Sequence, residues 1–138
     1  MLSRRLVLTA FSTALLALPV SAALAELPKS YEGKPYDAAA FAADEKAGKH
    51  ILLHIQASWC PTCAAQRPIL SQLKKLPELQ DLVVYNIDFD TDKALLRTLK
   101  VQTQSTLILY RGETEVGRST GETKPEAIRA LLLKSKPA

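Results

Sequence analysis

Cys60 and Cys63 are the only cysteines among the 138 residues, and they stand three positions apart in the run Trp59-Cys60-Pro61-Thr62-Cys63. A disulfide between two such neighbours closes a very short loop and therefore restrains the unfolded chain little. The spacing is better suited to a reversible dithiol, in which a thiolate attacks a disulfide and a second thiol displaces the product. The pair therefore predicts redox chemistry carried out by the two sulfurs themselves, without a cofactor.

The residues around Cys60 would favour its thiolate form. Residues 51–57 form a short apolar run typical of a strand buried on both faces, and a helix is predicted from Pro61 to about Lys75. Cys60 would then lie at the amino end of a helix, where free backbone N–H groups and the helix dipole stabilise an anion. Pro61 suits the first helical position. Cys63, one turn later on the same face, could resolve a mixed disulfide formed at Cys60.

A metal site is the main alternative for a CxxC pair. Zinc normally takes four ligands, and the chain offers only His50 and His54 besides the two cysteines. Copper(I) accepts two thiolates, so a copper(I)-binding module remains an alternative. The preferred interpretation places no metal at the pair.

The order of predicted elements indicates an α/β fold. A parallel β-α-β half is followed by an antiparallel hairpin and a closing helix, which together make a sandwich of helices on a central sheet. In chain order we predict a helix capped by Asp37 and running through Lys46, strand 51–57, helix 61–75, strand 82–87, a helix ending at Leu99, strands 106–110 and 115–119, and a helix from Pro125.

Residues 51–70 resemble the active-site segment of the thioredoxin family, in which an apolar strand precedes Trp-Cys-x-x-Cys. The family's active-site helix carries a proline eight residues after the first cysteine, and Pro68 stands at that position. The resemblance runs from about residue 36 to residue 133, with Gly112 and Gly121 at family glycine positions. It implies a three-layer thioredoxin-like sandwich with a mixed central sheet.

The resemblance also implies roles for the two cysteines. Cys60 would be the attacking nucleophile, Cys63 the resolving cysteine, and the two would form the redox-active disulfide. Protein clients would contact the residues around the pair and the loop that faces it. These client-binding residues are Trp59, Pro61, Thr62, Gln104, Ser105 and Thr106.

Ser105 departs from the family pattern, because the family usually has a cis-proline there. A cis bond before a residue other than proline costs about 2.5–4 kcal/mol. Either the loop keeps that bond as strain at a functional site, or the bond is trans and the pocket changes shape. In the family this loop offers backbone groups to the client, so either form would put the range of clients in doubt; the alternative is that Ser105 simply keeps the turn.

His54 is a second departure, because many family members bury an acid six residues before the first cysteine. A buried neutral imidazole could take the proton of the resolving cysteine. His54 could equally be a hydrogen-bonded core histidine. Val84 also replaces a lysine often found near that acid, so proton handling is expected to differ from that of ordinary thioredoxin.

Other polar residues have simpler interpretations. His50 follows Lys49 at the start of a strand, and we expect it to be solvated. Asp88, Asp90 and Asp92 alternate as in a cation-binding loop but lack the glycine and distal glutamate of a calcium site. We expect them to cap turns.

Residues 1–25 resemble a secretory signal peptide. Arg4 and Arg5 precede an apolar run from residue 6 to 18, and Ala23-Leu24-Ala25 provides a cleavage site. An uncleaved anchor and a buried helix are the alternatives, and the arginine pair also permits twin-arginine export. Residues 26–138 would then form one thioredoxin-like domain.

Cleavage would remove two arginines and no acidic residue, which leaves 16 basic and 14 acidic side chains and a net charge of +2. Such a small charge argues against nucleic-acid binding. The sequence thus predicts a monomeric periplasmic oxidoreductase, preferably a reductase, that exchanges disulfides with protein clients and is re-reduced by a membrane electron donor. An oxidase or isomerase would use the same residues.

Overall fold

The computed structural model describes residues 33–134, which form five strands and four α-helices. Residues 1–25, the predicted signal peptide, lie outside this range. In chain order the elements are β1 (Lys34–Pro35), α1 (Ala38–Lys46), β2 (His50–Gln56), α2 (Pro61–Leu73), β3 (Val83–Asp88), α3 (Lys93–Thr98), β4 (Thr106–Arg111), β5 (Thr114–Thr120) and α4 (Pro125–Leu133), with a 3₁₀ turn at Pro77–Leu79. Within residues 33–134 no helix has the length and apolar character needed to cross a membrane.

The strands form one mixed sheet in the order β1-β3-β2-β4-β5. β1, β3 and β2 are parallel, whereas β4 runs antiparallel to β2 and β5 antiparallel to β4. This arrangement confirms the predicted β-α-β half and hairpin. The two-residue strand β1 was not predicted from the sequence, because so short a segment shows no hydrophobic period.

Two apolar clusters cover the two faces of the sheet, as the alternation of side chains along a strand requires. Leu52 of β2 packs with residues of α2 and α4, among them Leu70 and Ile128. Ile51, Leu53 and Ile55 of the same strand point the other way and pack with Phe41 of α1 and Leu96 of α3. The helices therefore lie in pairs on opposite faces, which confirms the predicted three-layer sandwich.

The expected solvation of His50 is wrong. His50 is only 1% exposed, and its Nε2 lies 3.0 Å from the backbone oxygen of Leu132 in α4. Its position explains the burial, because His50, Leu52 and His54 alternate onto the face covered by α2 and α4. The neighbouring Lys49 is exposed because it lies before the strand.

Candidate active site

Cys60 is the N-cap residue of α2. Its backbone is extended, with φ −83° and ψ 112°, and its sulfur accepts a hydrogen bond of 3.1 Å from the backbone N–H of Cys63. Pro61 stands in the first turn, where its missing N–H costs no hydrogen bond. The predicted junction of strand and helix is therefore present, with the sulfur of Cys60 held against the amino end of the helix.

Cys60 and Cys63 form a disulfide, with their Cα atoms 5.3 Å apart. Both residues are buried, Cys60 to 2% exposure and Cys63 completely, and they pack with Ala57 and Phe89. The buried position of Cys63 suits a second thiol that meets only a partner already bonded to Cys60.

Trp59 is the exposed large apolar side chain beside the disulfide, with 57% of its surface accessible. Its indole Nε1 donates a hydrogen bond of 2.8 Å to Oδ2 of Asp90, in the turn after β3. This bond orients the ring from a second element. Sequence reasoning expected Asp90 only to cap a turn and did not find this contact.

The other two aspartates do cap the turn, as expected. Oδ1 of Asp88 accepts from the backbone N–H groups of Asp90 and Thr91, and Oδ2 of Asp92 accepts from the N–H of Asp88. Among residues 33–134 no group of three or more histidine, cysteine or acidic side chains is close enough to hold a metal ion.

His54 lies in β2 and is completely buried, with its Nε2 3.2 Å from Oε1 of Gln66. Burial lowers its pKa from 6.5 to about 4; the nearby charge of Arg67 also lowers it, while hydrogen bonds with Gln66 and Asn86 oppose the change. The imidazole is therefore neutral near pH 7. Val84, at the position where a lysine is common in the family, is buried in the apolar cluster on the same side.

Gln66 is a site residue that sequence reasoning missed. It is completely buried in α2, and its Nε2 donates to the backbone oxygens of Ser105, at 3.1 Å, and Glu122, at 3.0 Å. A signal was present in the sequence: Cys63, Gln66, Leu70 and Leu73 form the helical stripe that faces the core. A polar side chain on such a stripe normally has buried hydrogen-bond partners.

The loop before β4 brings Ser105 to this network. The described residues contain no cis peptide bond, and Ser105 has φ 58°, in the left-handed region. Its backbone oxygen accepts from Gln66 and from the N–H of Gly121 at 3.0 Å, and its hydroxyl donates to the oxygen of Gln104 at 2.5 Å. Of the two alternatives stated above, the bond before Ser105 is therefore trans.

The six residues predicted to contact clients are arranged unequally. Trp59 and Pro61 are exposed, and Thr62 and Gln104 are partly exposed, whereas Ser105 and Thr106 are buried. The hydroxyl of Thr106 donates to the oxygen of Thr103 at 2.7 Å. A client contact through the side chain of Thr106 would require this bond to open.

An open cleft of about 510 Å³ lies beside the site, at the carboxyl ends of the parallel strands. Arg67, which follows Gln66 on α2, lines it, and its Nε donates to Oε1 of Gln56 at 2.9 Å. Asn86 and Asp88 of β3 also line it.

A mixed five-stranded sheet between helix pairs, with a CxxC disulfide at the amino end of a helix, defines a thioredoxin-fold dithiol protein. The family model "Thioredoxin" matches residues 34–134. A Thioredoxin H-type of Brassica campestris is 32% identical over 92 residues, which cover 67% of this chain and 72% of that protein.

Thioredoxin H2-1 of Oryza sativa subsp. japonica is 30% identical over 83 residues, and the match spans only 59% of its length and 60% of this chain. The protein in the crystal structure of Trxlp from Edwardsiella tarda EIB202 is 44% identical in sequence. The match covers 72% of this chain and 96% of that chain, with a TM-score of 0.70. The chain belongs to the thioredoxin family, and it is a thioredoxin-type thiol–disulfide oxidoreductase with Cys60 and Cys63 as its CxxC pair.

Proposed function

We propose that the protein is an exported disulfide reductase for protein clients. The Cys60 thiolate attacks a client disulfide, so that a bond from Cys60 to one client sulfur forms and the other client sulfur leaves as a thiolate. Cys63 then loses its proton and attacks Cys60, which releases the second client thiol and leaves the Cys60–Cys63 disulfide. Two electrons have passed to the client, and a membrane electron donor returns the pair to the dithiol.

The contact of the Cys60 sulfur with the amino end of α2 supports this proposal most directly. The backbone N–H of Cys63, 3.1 Å from that sulfur, would favour a thiolate at Cys60 after reduction. Cys60 also has a small exposed fraction, whereas Cys63 has none. Both features favour Cys60 as the attacking residue.

His54 is the proposed acceptor of the Cys63 proton. Its neutral imidazole has one nitrogen able to take a proton, and it is buried on the side of the sheet that α2 covers. A pKa of about 4 makes it a weak base, so it would hold that proton only while Cys63 attacks. The His54→Gln variant should therefore slow resolution of the mixed disulfide and leave the first attack unchanged.

The reduction potential of the Cys60–Cys63 pair tests whether the protein reduces or oxidises its clients. It is measured by equilibrating the protein with glutathione and with a thioredoxin of low potential. A reductase requires a potential close to that of thioredoxins, about −270 mV, rather than about −120 mV as in strong oxidants. The more oxidising value would contradict the reductase assignment and favour an oxidase. Disulfide-linked clients trapped by Cys63→Ser, with Cys60→Ser/Cys63→Ser as the control, would then identify the substrates.

Export rests on the sequence of residues 1–25 and is tested separately. Expression in a Gram-negative bacterium, followed by fractionation, should place the protein in the periplasm with Glu26 as its amino terminus. Retention in the membrane would indicate an uncleaved anchor. Sedimentation of residues 26–138 tests the proposed monomer.

The copper(I) alternative uses the same two sulfurs. Metal analysis after anaerobic purification tests it, with Cys63→Ser as the control. One copper retained per wild-type chain and lost in the variant would favour the alternative.

A further inference from the structure

Gln66 connects four separate parts of the chain with a single side chain. It projects from α2, one turn after Cys63, and contacts His54 of β2, the Ser105 turn before β4 and the Glu122 turn before α4. All three hydrogen bonds lie between 3.0 and 3.2 Å, and the residue has no exposed surface.

The chemistry of these partners fixes which way the amide faces. Backbone oxygens only accept hydrogen bonds, so the group that meets Ser105 and Glu122 must be the NH₂ of Gln66, with one hydrogen for each. The carbonyl oxygen then faces His54, and a carbonyl oxygen cannot donate. His54 must therefore carry its hydrogen on Nε2.

We infer that Gln66 is a positioning residue of the dithiol site, which holds His54 as the neutral Nε2–H tautomer and fastens the Ser105 turn to the active-site helix. Any proton that His54 takes up consequently arrives at Nδ1, because Nε2 keeps its own hydrogen for Gln66. The part of the inference that concerns rate rests on the proposed function; the tautomer does not.

The turn at Ser105 needs stabilising hydrogen bonds because its backbone adopts an uncommon conformation. Ser105 has φ 58°, in the left-handed region, which residues other than glycine, asparagine and aspartate seldom occupy. The Ser105 oxygen is bonded from two directions, by the Gln66 amide and by the N–H of Gly121. One of these two hydrogen bonds comes from the helix that carries the cysteine pair. This bond fixes the position of the Ser105 turn relative to the two cysteines.

The tautomer is measured by two-dimensional ¹⁵N–¹H NMR of the imidazole rings, since protonated and unprotonated ring nitrogens differ widely in ¹⁵N chemical shift. A His50→Gln variant assigns the two histidines. Wild-type His54 should show a protonated Nε2 and an unprotonated Nδ1 at pH 7. The opposite pattern overturns the inference, and this measurement needs no Gln66 variant.

Gln66→Met removes the amide but keeps an unbranched side chain of similar length, and Gln72→Met is the matched control on the exposed side of α2. Gln66→Met should lose the single Nε2–H pattern, whereas Gln72→Met should retain it. If Gln66→Met fails to fold, Gln66→Leu gives the same comparison, since leucine also removes both the acceptor that faces His54 and the donors to the two backbone oxygens and has a high helix propensity.

The effect on rate is measured in a stopped-flow assay that separates attack by Cys60 from resolution by Cys63. Resolution in Gln66→Met should slow by about tenfold or more, because positioned proton transfer contributes about 100-fold and upward, while alkylation of Cys60 stays within about twofold. An unchanged resolution rate would overturn the positioning role. A wild-type protein that reduces no disulfide would instead contradict the proposed function and leave the tautomer result standing.

Discussion

At the scale of single residues, the two sulfurs differ by their place relative to one helix end. Cys60 precedes the first turn of α2 and accepts a backbone N–H, whereas Cys63 lies inside that turn and is fully buried. The free N–H groups at a helix start stabilise a negative charge only within the first turn and only on an atom that they face. This asymmetry makes two chemically identical side chains unequal.

The first prediction concerns the thiol of Cys60. In Cys63→Ser, Cys60 should titrate below the ordinary thiol pKa of about 8.5 and react with iodoacetamide at pH 7 faster than free cysteine. In Cys60→Ser, the buried Cys63 should react more slowly than free cysteine. Thiolate absorbance near 240 nm against pH measures both. A Cys60 that titrates and alkylates like free cysteine would remove the physical basis of the redox mechanism.

The second prediction concerns His54 and acid stability. Its pKa is lowered from 6.5 to about 4, so between these values the unfolded chain binds a proton that the folded chain does not. The stabilising contribution is therefore complete above pH 6.5 and is lost as the pH falls toward 4. Since each pH unit in this range is worth about 1.4 kcal/mol, unfolding should become easier by about 3 kcal/mol.

Urea unfolding at pH 7, 5.5 and 4 measures this contribution. His54→Gln keeps an amide that can donate to Gln66 but does not titrate, so its stability should fall less with acid. His50→Gln, on the same face of the same strand, controls for the other buried histidine. Equal acid dependence in wild type and His54→Gln would contradict the assigned pKa.

At the scale of elements, sequence patterns were sufficient to place a helix where apolar residues recur at a regular period and a suitable residue stands at its end. Asp37 caps α1 by accepting from the N–H of Ala40 at 2.7 Å, and Pro125 begins α4, both as predicted. Strand alternation could also have placed His50 correctly, because Leu52 and His54 share its face. The exposed Lys49 is no guide to the burial of His50, because Lys49 lies before the strand.

Two features of the site could not be obtained in this way. Serine carries no preference for positive φ, so the shape of the Ser105 turn depends on the bonds that its backbone oxygen makes to α2 and to Gly121. Gln66 was detectable as a polar residue on a buried helical stripe, but its three partners come from three distant segments. Such contacts are properties of the folded chain and leave no local pattern.

The third prediction tests the Ser105 turn. Proline fixes φ near −65°, whereas Ser105 has φ 58°, so Ser105→Pro should destabilise the protein by more than about 1 kcal/mol. For a domain of this size that lowers the melting temperature by about 4–8 °C or more.

Ser105→Gly is the matched variant, because glycine adopts positive φ without steric cost. Its melting temperature should stay within about 2 °C of wild type, as the lost hydroxyl bond and the relieved backbone offset each other. A Ser105→Pro protein as stable as wild type would show that the turn readily adopts another conformation.

At the scale of the whole molecule, the active site lies where the two halves of the fold meet. β2 and α2, from the first half, supply His54, both cysteines and Gln66. The second half supplies Ser105, from the turn before β4, and Glu122, from the turn before α4. The chemistry therefore requires the complete sandwich, although the two cysteines are close neighbours in sequence.

The fourth prediction concerns how much of the chain this sandwich needs. The sheet, four helices and both apolar clusters lie within residues 33–134, so residues 26–138 should fold and reduce insulin. Removal of residues 1–35 also takes away β1, whose Lys34 and Pro35 pair with Tyr85 and Asn86. The edge of the sheet at β3 would then be exposed, and Asn86 would lose its 2.9 Å bond to the oxygen of Gly33.

This shorter chain should be less stable by about 1 kcal/mol or more, because it loses the part-buried hydrogen bond of Asn86 together with the backbone pairing of β1, and a typical hydrogen bond contributes about 0.5–1.5 kcal/mol. Thermal unfolding of residues 26–138 and 36–138 measures the difference. Because Asn86 pairs with His54 across β3 and β2, loss of β1 should also disturb the His54 ring signals. Equal melting temperatures with unchanged His54 signals would show that β1 contributes nothing to the site.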